Sequence, residues 1–181
     1  MNRANPKYVL RNYLAQQAIE KSCFTKDGLL RGEFKNLYDS LFELADNHIK
    51  TVEALAETTK GLTRQEIIDT CGLSSGGRTT EMLQELEESG FIKSFIPYGK
   101  TTKDAIYRLI DEFSIFYLKF MDGKPRIEKG TWAKLSSTPS YVIWSGMAFE
   151  AVCLKHVEQL KEGLNIGGFK TEDGIWRYVP S

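Results

Sequence analysis

Apolar residues recur every three or four positions between residues 38 and 56. One helical face carries Tyr38, Leu41, Phe42, Ala45, Ile49, Val52, Leu55 and Ala56. Charged side chains occupy the other faces of this stretch. The spacing predicts one long amphipathic helix, and Lys60 and Gly61 mark its end.

A second, shorter helix is predicted directly after this one. Thr63 and Glu66 have the spacing of a capping box, in which the threonine hydroxyl accepts from the glutamate amide and the carboxylate reaches back. Ile67 and Ile68 supply its apolar side. Gly72 can adopt the left-handed conformation that ends a helix.

The third predicted helix follows a short turn. Ser74 and Ser75 are candidate caps, and Thr79, Leu83 and Leu86 are expected to face inward. Gly90 is expected to close this helix. A short turn between two helices is what a helix-turn-helix requires.

Two strands are predicted after the third helix, at residues 91–96 and 105–109, because both stretches are rich in β-branched and aromatic residues. Residues 97–104 between them have turn chemistry and predict a flexible polar tip. Three helices followed by a hairpin indicate a winged helix over residues 37–109. The predicted fold class is mainly α (α+β).

The remaining segments are less regular. Residues 111–120 predict a helix with Phe113, Phe116, Tyr117 and Phe120 on one face, which favours core packing over ligand binding. Residues 121–140 are rich in Gly, Pro and Ser and predict a connection. A further amphipathic helix is predicted at residues 142–162, followed by one or two strands.

Charge is distributed unevenly along the 181 residues, although 24 basic and 24 acidic side chains cancel. Residues 1–35 and 91–134 each carry a net charge of +4, whereas residues 36–90 carry −7 and residues 135–181 carry −1. A polyanion would therefore meet the first and third of these segments more favourably than the second.

Composition narrows the class of protein further. The chain is 41% hydrophobic, which is typical of a globular protein. It has neither a run of about 20 apolar residues nor an apolar N-terminal signal region, so we expect a soluble cytoplasmic protein. Cys23, Cys71 and Cys153 are far apart and predict reduced thiols rather than a disulfide framework.

Catalytic patterns are absent from the sequence. Neither pair of consecutive glycines is followed by the Lys-Ser/Thr of a phosphate-binding loop. His48 and His156 fall in predicted helices, and no activating pattern surrounds them. Cys153 and His156 are one helical turn apart, but two ligands are weak grounds for a metal site. We expect no cofactor in this chain.

DNA binding requires positive charge and hydrogen-bonding side chains on the third helix and the hairpin. The third helix has a net charge of −3 over residues 74–90, so only its first turn suits a duplex. The hairpin is basic. Candidate nucleic-acid-binding residues are Ser74, Ser75, Arg78, Thr79, Thr80, Lys93, Lys100, Lys103 and Arg108. The acidic part of the helix is equally suited to contact with protein.

Several stretches resemble the C-terminal half of the prokaryotic AAA-like ATPases of the archaeal type. Residues 5–10, NPKYVL, are similar to the end of the ATPase lid, and residues 24–42 are similar to the linker that follows it. Residues 61–92 and 107–121 resemble the family's winged helix. Residues 144–150, WSGMAFE, resemble the opening of its degenerate restriction-endonuclease-like domain.

The resemblance implies four segments. These are a helical linker at residues 1–36, a winged helix at 37–121, a linker at 122–140 and a truncated nuclease-like segment at 141–181. Glu150 corresponds to the helix glutamate of the nuclease-like domain, but the later Asp and Glu-x-Lys that would hold magnesium do not follow. The ATPase core is also missing, so ATP and Mg²⁺ are expected only for an absent N-terminal domain.

Three hypotheses follow from the residues and the resemblance. The first is a non-catalytic winged-helix fragment of an AAA-like ATPase that contacts DNA or protein, with the ATPase domain or a second copy as further partners. The second is a nuclease-type enzyme that uses Glu150. The third is a stand-alone winged-helix transcription regulator. A membrane partner is not expected.

Overall fold

The computed structural model describes residues 6–123 and 130–169, with side chains from residue 13 onward. Its helices are α1 Pro6–Cys23, α2 Glu33–Leu41, α3 Ala45–Ala56, α4 Arg64–Cys71, α5 Gly77–Glu88, α6 Glu112–Phe116, α7 Thr131–Leu135, α8 Pro139–Lys155 and α9 Val157–Gly163. Its strands are β1 Leu62–Thr63, β2 Ile92–Phe95 and β3 Ile106–Leu109. The prediction of a mainly α fold with a small amount of β structure is confirmed.

The prediction of a single long helix from residue 38 onward is wrong, because this stretch forms two helices, α2 and α3. Phe42 has an extended backbone, with φ −128° and ψ 131°, which ends α2. This bend places the Phe42 ring flat on the His48 ring, with centroids 4.0 Å apart. Leu41 and Leu44 remain exposed beside the break. The apolar ring of Phe42 packs on His48. The apolar spacing in the sequence therefore continues through residue 42, although the backbone there is not helical.

The sheet has three antiparallel strands in the order β1-β3-β2. The two strands of the predicted hairpin pair with Lys93 opposite Arg108 and Ile92 opposite Leu109. Strand β1 has only two residues, so no alternation of apolar and polar positions could predict it. It extends the hairpin because Leu62 pairs with Tyr107.

Gly61 allows β1 to approach β3. It has φ +76°, and a Cβ atom there would lie 2.6 Å from both Ile106 Cγ2 and the Tyr107 carbonyl oxygen. Gly61→Ala should therefore lower the free energy of unfolding by about 1–2 kcal/mol for the left-handed backbone and about 1–3 kcal/mol more for the overpacking. Urea denaturation measures this loss.

Gly72→Ala is the matched control, since Gly72 has φ +64° with open space around its Cβ position. That variant should lose only the backbone part. Equal losses at both positions would show that Gly61 does not set the approach of the two strands.

The main core lies between α2, α3, α5 and the sheet. Tyr38 is fully buried, and its hydroxyl shares a 2.9 Å hydrogen bond with Ser114 Oγ on α6. Burial raises the pKa of Tyr38. Thr79, Leu83 and Leu86 face inward as predicted.

A second, aromatic core joins segments that are distant in sequence. Its buried members are Cys23, Phe24, Phe120 and Trp132. Trp132 lies on α7, within the range predicted to be a linker. The Glu20 carboxylate on α1 accepts backbone N–H groups of Gly130, Thr131 and Trp132 at 2.8–3.2 Å, which caps α7. This cap and the buried indole fix α7 against α1.

The aromatic segment after β3 connects the two cores. It begins as α6 and continues as a single π-helical turn, Tyr117–Met121. Phe113 and Tyr117 pack against the main core, whereas Phe116 and Phe120 belong to the aromatic core. The core-packing role predicted for these rings is confirmed. The π turn changes the register of the helix, so the four rings serve two clusters rather than one face.

The helix predicted at residues 142–162 is interrupted at His156, where φ is −115° and ψ is 30°. Helices α8 and α9 lie on either side of this break. The strands predicted near the C-terminus fall largely on residues 170–181, which lie outside the described residues. Among the described helices, none combines the length and the apolar character needed to cross a bilayer.

Candidate nucleic-acid interface

The turn between α4 and α5 positions the first turn of α5. Thr63 and Glu66 form the predicted capping box at the start of α4, and Gly72 ends that helix with φ +64°. Arg64 then spans the turn, because its Nη2 donates to the carbonyl oxygens of Ser75 at 2.9 Å and Gly76 at 3.1 Å. The turn is therefore held by an ordered side chain as well as by its glycines.

Arg64 was not among the candidates predicted from sequence. Besides the two carbonyls, its Nη2 reaches Thr80 Oγ1 at 3.3 Å, so it contacts the first turn of α5 itself. An arginine at the first position of a capped helix gives no sequence signal that it reaches a hydroxyl 16 residues away. Its partial exposure leaves its positive charge beside that turn.

The serines predicted to cap α5 do not do so. The N-cap is instead Gly76, which forms no side-chain cap hydrogen bond. Ser74, Ser75, Arg78 and Thr80 are exposed at this end of the helix. Thr79 is 4% exposed, and its hydroxyl donates to the Ser74 carbonyl at 2.6 Å. Thr79 therefore packs the turn and does not face solvent.

The loop between β2 and β3 presents Lys100 and Lys103 to solvent. Its shape is fixed by Asp104, whose Oδ2 accepts from the Thr101 amide at 3.0 Å and the Thr101 hydroxyl at 2.9 Å. These hydrogen bonds hold the pKa of the Asp104 carboxyl below its usual value. The tip predicted to be flexible contains a capped 3₁₀ turn at Thr102–Asp104.

The other two basic candidates on the hairpin differ in their surroundings. Lys93 is exposed, and its Nζ lies 5.6 Å from the centroid of the Phe95 ring. Arg108 is only 17% exposed, and its Nη1 pairs with Glu150 Oε1 on α8 at 3.3 Å. Two residues predicted for different functions, DNA contact and nuclease chemistry, thus neutralise each other. Arg108 on β3 therefore contacts α8 rather than remaining free for a ligand.

Two of the four carboxylates on α5 have partners on other elements of the fold. Glu85 Oε2 lies 2.8 Å from Nε2 of the buried His48, and Glu87 Oε1 accepts from the Ser94 amide and hydroxyl at 2.7 Å. Burial together with the charge of Glu87 raises the pKa of Tyr107. These contacts attach the C-terminal half of α5 to α3 and β2. Glu85 and Glu87 therefore have a structural role.

The catalytic and metal candidates are not brought together. Cys153 lies near the end of α8 and His156 in the break that follows it. Among the described residues, no group of three His, Cys, Asp or Glu side chains is arranged to hold a metal ion. The three cysteines are free thiols. No observation within the described ranges favours the hypothesis of a nuclease that uses Glu150.

Comparison with known proteins gives little information. No family model matches the chain, and no solved structure matches it. A stretch of 20 residues is 95% identical to part of "Protein nucleotidyltransferase YdiU" from Nitrosospira multiformis. The match covers 11% of this chain and spans only 4% of that protein. A shared stretch of this length is smaller than a domain and assigns the chain to no family.

Proposed function

We propose that residues 37–121 form a winged-helix module that contacts DNA phosphates without catalysing a reaction. The order α3-β1-α4-α5-β2-β3 supports this proposal, since it includes the short strand that precedes the two helices of the helix-turn-helix. The observation that carries it is the first turn of α5. Its N-cap, Gly76, forms no side-chain cap, and the exposed Arg78 and Thr80 lie there with Arg64, which contacts Thr80.

An uncapped helix N-terminus attracts phosphate because its amides point outward and carry partial positive charge. The carboxylates at the C-terminal end of α5 repel a phosphate at its first turn less than the net charge of the helix suggests. Glu87 is nine residues beyond Arg78, or about 13 Å along the helix at 1.5 Å per residue. That separation exceeds the Debye length of about 8 Å at physiological salt. Binding should be weak because Glu81 remains one turn from Arg78, and it should be salt-sensitive because phosphate contacts release counterions.

Amide chemical shifts of the ¹⁵N-labelled protein, followed during titration with a 15-base-pair duplex at low salt, test the proposal. The amides of Gly77 and Arg78 and those of the β2–β3 loop should move together and saturate. Amides of α7 and α9 should not move, since both helices lie outside the module. Shifts confined to other surfaces, or none at millimolar duplex, would contradict DNA contact by this module.

The wider context of the module is also a proposal. The sequence resemblance to the AAA-like ATPases supports a cytoplasmic, non-catalytic C-terminal region of such a protein, which couples a nucleotide-dependent domain to DNA or to a protein. ATP and Mg²⁺ would then belong to that other domain. A phosphate-binding loop in the reading frame upstream of Met1 would support this context, and a frame without one would contradict it.

A further inference from the structure

A groove runs beside α5, on the side where α2 and α3 meet. It has a volume of about 420 Å³, and Phe42, Met82 and Thr79 are among its buried lining residues. This volume lies in the range of about 300–1,000 Å³ that is typical of ligand-binding clefts. Its position along the flank of α5 separates it from the basic loop between β2 and β3.

Two exposed leucines stand at this groove. Leu41 is 52% exposed and Leu44 is 60% exposed, and both line it. They come from the break between α2 and α3, which exists because Phe42 turns inward onto His48. Single exposed leucines are common on protein surfaces. Two that border one groove, three residues apart, instead offer an apolar contact to a partner.

Carboxylates surround the same leucines. Glu43, Glu81, Glu85 and Glu88 line the groove, whereas Arg78 is the only lysine or arginine among its described lining residues. Glu85 contacts His48 and Glu88 accepts from Gln84, whereas the carboxylates of Glu43 and Glu81 pair with no side chain in the described part of the chain. The groove therefore combines apolar surface with unneutralised negative charge.

From this combination we infer that the groove binds a basic amphipathic helix of a partner protein. Apolar side chains spaced at i, i+3 or i+4 and i+7 would cover Leu41 and Leu44, as in helix-in-groove recognition. Lysine or arginine residues flanking them would meet Glu43 and Glu81, because complementary charge selects the partner and orients it. An acidic helix would be repelled by the same residues. Arg78 borders both this groove and the proposed DNA contact, so the inference is tested on Leu41, Leu44, Glu43 and Glu81, which the DNA contact does not use.

A fluorescein-labelled 14-residue peptide of leucine and lysine, with leucines along one helical face, serves as the probe. Fluorescence anisotropy should show saturable binding to the full chain. A scrambled peptide of the same composition should bind at least about tenfold more weakly, a difference worth about 1.4 kcal/mol. A peptide with glutamate in place of lysine should not bind. Equal binding of the ordered and scrambled peptides, or no saturable binding, would overturn the inference.

Variants of the groove localise the contact. Leu41→Ser combined with Leu44→Ser should weaken binding about fivefold or more, and Glu43→Gln with Glu81→Gln should weaken it most at low salt. Leu29→Ser is the matched control, because Leu29 is 83% exposed and does not line the groove. Circular dichroism checks that each variant is folded. An equal loss in the Leu29 variant would place the contact elsewhere.

Discussion

Trp132→Ala should lower the free energy of unfolding by about 3–5 kcal/mol, the loss expected when a large aromatic side chain is removed from a core. Trp132 is 2% exposed, and its ring stacks on Phe24 with centroids 5.8 Å apart. It also contacts Phe116, Phe120 and Tyr141. Its removal would leave a cavity where α1, α7, α8 and the π turn meet. Urea denaturation followed by far-UV circular dichroism measures the loss.

Two further variants serve as controls. One keeps an aromatic ring at position 132, and the other removes an aromatic ring from the surface. Trp132→Phe should lose less than half as much, because Nε1 of Trp132 is buried without a hydrogen-bond partner among the described residues. Phe149→Ala removes an aromatic side chain that is 69% exposed on α8, and it should change stability by about 0.5 kcal/mol or less. If Trp132→Ala were as mild as Phe149→Ala, residues 130–135 would be the simple linker that their composition predicts.

Local patterns in the sequence predicted the elements that depend on local chemistry. The capping box at Thr63 and Glu66 and the left-handed glycines at 72 and 90 were predictable because each acts within a few residues. The hairpin was predictable from β-branched and aromatic runs. The break at Phe42 was not, because its cause is a ring contact with His48 and Phe91 that forms only in the folded chain.

The candidate interface shows the same division. Exposure of Arg78, Thr80, Lys100 and Lys103 agrees with their polar surroundings in sequence. The pairing of Arg108 with Glu150 joins residues 42 positions apart, and no spacing rule predicts it. Net charge was also an incomplete guide to α5. It does not distinguish Glu87, which is bonded to Ser94, from Glu81, which has no partner among the described residues.

The first turn and the flank of α5 thus have different properties. Its first turn has no side-chain cap from Gly76 and presents Arg78, and its flank lines an acidic groove that Leu41 and Leu44 border. DNA contact at the first turn and a basic partner along the flank would make α5 the shared element of two interactions, which adjoin at Arg78. Each can be tested separately, because the loop lysines do not line the groove.

Reversing the charge of both loop lysines should abolish DNA binding. Lys100 and Lys103 are exposed on a loop whose shape depends on Thr101 and Asp104, so Lys100→Glu with Lys103→Glu should leave that shape intact. The double variant loses two attractive charges and gains two repulsive ones. We expect this loss of binding energy to exceed the attraction that the first turn of α5 provides.

The matched control is Lys21→Glu with Lys26→Glu, which makes the same change in net charge on exposed lysines of α1 and the loop after it. The deciding measurement is a fluorescence anisotropy titration of a labelled duplex with the unaltered protein and both double variants at several salt concentrations. Binding that falls with salt, survives the Lys21 and Lys26 reversal within about threefold and disappears with the Lys100 and Lys103 reversal is the predicted result. Equal affinity of the unaltered protein and the Lys100 and Lys103 variant would contradict DNA contact through the loop between β2 and β3, which the proposed winged-helix contact requires.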